Sequence, residues 1–194
     1  MKTEHQSVRQ HILATGRAII MHKGYTGVGL NEILSAAGVP KGSFYHYFKS
    51  KELFGEAMLE DYVDAYLAEM DALLAADGTG LARLMRYWDG WLTKCNDAYA
   101  GSQCLVVKLS GEVADMSEAM RAVLLQGTNR IVQRLAACLA DGVADGSIRA
   151  AVAPEQTALA LYEMWLGAAL LTKVRREPSA LENALRATRA MLAG

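Results

Sequence analysis

Residues 30–54 read LNEILSAAGVPKGSFYHYFKSKELF, and the way this stretch is punctuated decides the fold. Leu30, Ile33, Leu34 and Ala37 stand at i, i+3, i+4 and i+7, the spacing of a short amphipathic helix. Gly38 is placed to end it, since glycine enters the left-handed region without steric cost. Pro40 then suits the first turn of a second helix, predicted over Pro40 to Phe48. Phe44 and Phe48 are four apart on that helix and are expected to pack inward. Lys41, Ser43, Tyr45, His46 and Tyr47 then project outward, with Gly42 exposing bare backbone among them. Two helices joined by a short turn containing glycine have helix-turn-helix geometry. A small aromatic core would account for Phe44 and Phe48. It would not account for three further rings facing water.

The outward groups are chemically suited to a polyanion. Hydroxyls, phenols and an ammonium reach phosphates and base edges, and a glycine lets the backbone come close. Lys51 adds a cation beside the free amides at the start of the next helix, where a phosphate is well received. The charge distribution agrees. Residues 1–51 carry a net charge of +5 and the remainder −6, within an overall charge of −1. All four histidines precede residue 47.

Outward from this segment the pattern stays helical. Ser7 is a candidate cap for a first helix running to His22, with Val8, Ile12 and Ile19 near one face and Gly24 as its stop. The link GYTGVG joins it to the helix at Leu30. Ser50 is expected to cap a long helix reaching about Ala76, and Glu52 in its first turn suits the dipole. Later helices are predicted over 81–97, 103–113, 117–141, 155–175 and 178–192, separated by Gly, Pro, Asp and Ser clusters. Ala and Leu number 57 against 27 for Val, Ile and Thr, which favours helix throughout. The expected class is all-α. A three-helix DNA-binding domain over 1–50 would precede a helical regulatory and dimerisation domain over 51–194.

Composition narrows the setting. The longest run without charge, Ala98 to Val107, is ten residues, against about 20 for a membrane-spanning helix. The charged start MKTEHQSVRQ lacks the apolar core of a signal peptide. Three cysteines without CxxC spacing fit neither a disulfide framework nor a zinc site. A cytoplasmic protein needing no metal or cofactor is the expectation. An all-α enzyme would require converging acid, base or nucleophilic groups. After His46 there is no histidine, no metal-ligand cluster and no phosphate loop. A purely structural adaptor would leave the basic head unexplained.

Two readings compete for what the second domain senses. An apolar ligand could fill a pocket lined by Tyr87, Trp88, Trp91, Tyr162, Met164 and Trp165, although such residues also make ordinary cores. Alternatively, Ser102 could cap a helix and put Cys104 in its first turn, where a thiolate is favoured, with Lys108 one turn away. Cys95 falls near a helix end and Cys138 among apolar neighbours in mid-helix. Lys173 is the first charge after Glu163 and closes an apolar run. It could act on a nearby thiol or simply reach solvent. The helices near 155–175 and 178–192 are the candidates for a dimer bundle, because TALALYEMWLGAALLT is nearly all apolar.

The quoted stretch, with ILATG and GY before it, resembles the signature of TetR-family transcriptional regulators. That resemblance implies all-α homodimers that bind a palindromic operator through an N-terminal three-helix domain. Carried over residue by residue, it makes Ser43, Tyr45, Tyr47 and Lys51 DNA contacts, with Asn31 a weaker candidate. Gly29 stands where the family often has a threonine cap, and Pro40 where it often has serine. The stretches SQCLVVKLSGEVADMSEAMR, YEMWLGAALLTKVRR and PSALENAL are similar to the N-ethylmaleimide reductase repressor subgroup. This likeness implies repression relieved when a cysteine is modified by electrophiles or oxidants. Cys104 is the cysteine that matches the subgroup pattern.

Overall fold

The computed structural model describes residues 2–96 and 104–193, and every regular element among them is an α-helix. In chain order these are α1 (Lys2–Lys23), α2 (Leu30–Ala37), α3 (Lys41–Tyr47), α4 (Lys51–Leu74), α5 (Gly80–Asn96), α6 (Leu105–Val113), α7 (Glu118–Ala144), α8 (Pro154–Arg175) and α9 (Ser179–Leu192). The all-α expectation holds, with the helix-turn-helix segment at α2 and α3.

Local chemistry sets most of the boundaries. Gly24 ends α1 at φ 82°, its N–H on the Ile20 carbonyl at 2.8 Å. Gly38 ends α2 at φ 63°, and the Val39 N–H reaches back to the Leu34 carbonyl at 3.1 Å. Ser50 Oγ accepts the Leu53 N–H at 3.1 Å, and Ser117 Oγ accepts that of Met120 at 3.3 Å. Several starts shift by one residue, and three differences bear on the reading. α1 begins at Lys2 rather than Ser7, because residues 2–6 hold no helix breaker. α3 begins at Lys41, with Pro40 as an extended N-cap. α6 begins at Leu105, so Cys104 is its N-cap at φ −62° and ψ 121° instead of a first-turn residue. The Ser102 cap expected there lies outside the described residues.

The chain divides into two compact units. One comprises Met1–Ala65 with Cys104–Gly127, and the other Tyr66–Gln103 with Thr128–Gly194. The unit holding the helix-turn-helix therefore extends past residue 50 and includes α6. Its core draws on Ile12, Leu13 and Ile20 of α1, Ile33 of α2, Phe44 of α3, Phe54 and Met58 of α4, and Leu105 and Leu109 of α6. The Phe44, Phe48 and Phe54 rings lie with centroids 5.3–5.7 Å apart. Burying such a ring contributes about 1.5–3 kcal/mol, so α3 is held chiefly from beneath. A Cβ on Gly16 would collide with the Phe54 ring, which is why α1 and α4 can approach there. His11 Nε2 donates to the Ala37 carbonyl at 3.0 Å and ties α1 to the end of α2.

In the second unit α8 packs along α9, and α9 also packs on α5. The Trp88 and Trp165 rings stack at 4.5 Å with 12° between their planes. Trp165 Nε1–H donates to Thr188 Oγ1 at 2.9 Å, and that hydroxyl donates to the Ala184 carbonyl at 2.8 Å. The first amides of α5 go to Asp145 (2.7 Å) and Ser147 Oγ (3.1 Å). Among the described residues no helix is long and apolar enough to cross a membrane, and no His, Cys, Asp and Glu cluster could hold a metal.

Candidate functional site

A seven-residue helix supported by three phenylalanines has one buried side, and the rest of its surface is available. Phe44 and Phe48 are buried, as their spacing predicts. Lys41, Gly42, Tyr45 and His46 are exposed, while Ser43 and Tyr47 are half-buried. Tyr45 stands edge-on to Phe44 at 5.6 Å, and the Lys41 ammonium lies 5.8 Å over the Tyr45 ring. His46 meets Tyr47 edge-to-face at 4.9 Å. Nothing stands within 4 Å of where a Gly42 Cβ would be. α3 thus brings six of the predicted DNA-binding residues onto one element, and Asn31 is exposed on the adjoining α2. Lys49, which the sequence reading did not single out, adds an exposed cation whose Nζ caps the Tyr45 carbonyl at 3.3 Å.

Lys51 is placed differently. Its ammonium donates to the Tyr25 carbonyl at 2.8 Å and lies 4.3 Å over the Tyr25 ring. The Tyr25 hydroxyl returns a hydrogen bond to the Lys51 carbonyl at 2.8 Å. Burial lowers the Lys51 pKa below its ordinary value, against the opposing charge of Glu112. Burial and the Glu52 charge push the Tyr25 phenol up to about 12.

Cys104 is half-buried at the start of α6. The Tyr62 O–H donates to its Sγ at 3.7 Å, and the same oxygen accepts the Leu105 N–H at 3.3 Å. Lys108, expected beside the thiol, donates to the His22 carbonyl at 3.3 Å, at the end of α1. One turn further, the Glu112 carboxylate accepts the Tyr25 N–H (3.1 Å), the Thr26 N–H and the Thr26 hydroxyl. Burial pushes the Glu112 carboxyl up. The hydrogen bonds from Thr26 and Tyr25, with the Lys108 charge, outweigh it and hold the group below its ordinary value. Cys138 is a different thiol. It is buried and donates to the Gly80 carbonyl at 3.4 Å, and burial raises its pKa. The Cys95 side chain lies outside the described residues.

The predicted pocket residues do come together. Tyr87, Trp88, Trp91, Tyr162 and Trp165 are all buried, and their rings touch one another at centroid distances of 4.5–6.5 Å. Met164 is half-buried. Trp88 Nε1–H is buried with no acceptor among the described residues. Lys173 is exposed in the last turn of α8. Tyr62 and Glu112 were not foreseen. Each is 42 or more residues from its partner, and no local pattern marks either one.

Comparison with known proteins bears on both features. Residues 12–58 match the family model described as bacterial regulatory proteins, tetR family, and residues 80–188 match the tetracyclin repressor-like C-terminal domain. The HTH-type transcriptional repressor NemR of Escherichia coli (strain K12) is 43% identical over 184 residues, covering 94% of this chain and 92% of NemR. The transcriptional regulator AcuR of Cereibacter sphaeroides is 35% identical over 178 residues, covering 90% of this chain and 80% of AcuR. The crystal structure of reduced E. coli NemR superposes with a TM-score of 0.92 at 41% identity, covering 96% of this chain and 97% of that one.

Proposed function

The chain belongs to the TetR family of bacterial regulatory proteins, and on that premise we propose that it is a cytoplasmic repressor released from DNA by modification of Cys104. Regulators of this family bind DNA operators, act as dimers and are not enzymes. On this reading α3 enters the major groove, with Lys41, Gly42, Ser43, Tyr45, His46 and Tyr47 meeting phosphates and base edges. Asn31 adds a contact from α2, and Lys51 acts by holding the α1–α2 turn in place. A palindromic operator follows from two such heads in a symmetric dimer. The dimer face is α8 with α9, supported by a stripe of exposed Leu159, Leu170 and Val174 on α8 and by the exposed Leu171 of α8 and Met191 of α9.

The observation that carries the thiol reading is the contrast between the two described cysteines. Cys138 is buried and hydrogen-bonded within a core, whereas Cys104 is half-exposed at a helix start with a phenol O–H directed at its sulfur. An electrophile such as a quinone or N-ethylmaleimide takes the Cys104 Sγ across its activated C=C bond, the π bond giving way to the S–C bond and the thiol proton passing to the adduct, and the added bulk displaces the start of α6. Oxidants would act on the same sulfur. A loss of about 3 kcal/mol in operator binding is a hundredfold change in affinity, enough for a switch.

The test is a gel-shift titration on the DNA upstream of the coding sequence. Protein is compared before and after N-ethylmaleimide, as wild type and Cys104→Ser. Release in the wild type alone is expected. If both proteins let go, another residue carries the signal. Lys173→Ala in the same assay shows whether that amine contributes. A second reading has one observation in its favour. The Trp88 Nε1–H, which has no acceptor among the described residues, would donate to an apolar effector carrying an acceptor, lodged among Tyr87, Trp91, Tyr162 and Trp165. Both cysteine forms would then stay bound after N-ethylmaleimide.

A further inference from the structure

The turn between α1 and α2 is held by two charges from distant parts of the chain. Tyr25 and Thr26 direct their N–H groups at Glu112, some 86 residues away, and the Thr26 hydroxyl adds a third hydrogen bond. Lys51 takes the Tyr25 carbonyl on the same turn. Gly24 stands at φ 82°, and a Cβ there would come within 3.0 Å of Glu112 Oε2, so the carboxylate occupies the room a side chain would need. On the same side of α6, Lys108 donates to the His22 carbonyl, one of the acceptors left open at the end of α1. The two charges of α6 are thus matched to the turn, the anion to its amides and the cation to a helix-end carbonyl. α6 has nine residues, with Cys104 as its N-cap and Glu112 in its last turn, about 12 Å of helix apart. So short a helix moves as a rod.

We propose that Glu112 is the positioning residue through which α6 sets the helix-turn-helix. A displacement of α6 at Cys104 reaches the α1–α2 turn through this carboxylate, and with it the placement of α2 and α3. The trigger rests on the thiol reading above, whereas the connection itself rests on the Glu112 geometry. Binding linkage is reciprocal, so whatever couples the sulfur to DNA also couples DNA to the sulfur.

Full-length Glu112→Ala and Thr26→Val are compared with wild type. Melting by circular dichroism confirms the fold, and mass spectrometry confirms N-ethylmaleimide labelling at Cys104. The deciding quantity is the ratio of DNA dissociation constants, labelled over reduced. Glu112→Ala is expected to be labelled to the wild-type extent with a ratio within threefold of one, and Thr26→Val to fall between it and wild type. A wild-type ratio in Glu112→Ala overturns the proposal and leaves the thiol reading intact. If labelled wild type keeps its DNA, the thiol reading fails separately. The reduced proteins then decide: at least fivefold weaker binding by Glu112→Ala upholds its positioning role, and unchanged binding overturns it. If Glu112→Ala does not fold, Glu112→Gln takes its place in the same comparisons, since it keeps one acceptor oxygen and loses the other.

Discussion

Gly42→Ala separates the stability of α3 from its contact with DNA. Gly42 is the second residue of a seven-residue helix, and an added Cβ meets nothing within 4 Å. Alanine is favoured over glycine by about 1 kcal/mol inside a helix, and by roughly half that near an end. The variant is therefore expected to melt at the wild-type temperature or slightly above it. On DNA the same methyl group would stand where backbone and phosphate approach. Losing one hydrogen bond of that kind costs about 1 kcal/mol. A dimer carries two heads, so the expected loss is about 2 kcal/mol, or about thirtyfold in Kd. No charge is removed, so the slope of log Kd against log salt should not change. Gly111→Ala is the matched control, because Gly111 is exposed on α6 and also has open space around its Cβ position. It is expected to gain up to about 1 kcal/mol of stability and to bind DNA within twofold of wild type. Fluorescence anisotropy with upstream DNA at three salt concentrations, alongside thermal melting, reads all of this. Wild-type affinity in Gly42→Ala would refute the placement of α3 in the groove. Equal weakening in both variants would move the effect from the interface to the fold.

Two further expectations concern the packing that presents the site. Thr188→Val removes the acceptor of the buried Trp165 indole and is expected to cost about 1–3 kcal/mol, read as a lowered urea midpoint; an unchanged midpoint would show that the indole finds another partner. Tyr25 keeps its proton to about 12, against an ordinary value of 10.0, so its contribution is full below pH 10 and erodes as the pH rises toward 12. Urea midpoints between pH 9.5 and 11.5 should fall more steeply for wild type than for Tyr25→Phe, and equal slopes would show that the phenol is not held in this way.

What could be read from the sequence and what could not divide along a physical line. Phe44 and Phe48 announce their burial because side chains four apart on a helix share a face. Gly24 and Gly38 announce helix ends because left-handed backbone penalises every other common residue. These are short-range constraints, and the α3 surface follows from them almost entirely. The reading of Cys104 as a first-turn residue placed the helix start two positions too early, since a helix start is fixed by which carbonyl accepts the first bond. Here the Lys108 N–H goes to the Cys104 carbonyl itself. Lys51 was legible as a cation at a helix start. Its actual partner was not, because a solvated phosphate and a buried carbonyl ask the same of an ammonium, and only tertiary packing chooses between them. Glu112 was invisible for the same reason, although half of its signal was present. Tyr25 and Thr26 follow the glycine that ends α1, and their amides, satisfied by no helix or strand, need an acceptor from elsewhere. The acceptor comes from α6, within the unit that holds α3. On the reading proposed above, a change at Cys104 reaches the turn ahead of α2 along α6 and Glu112, all within one compact unit, and coupling across the two units is not required for it.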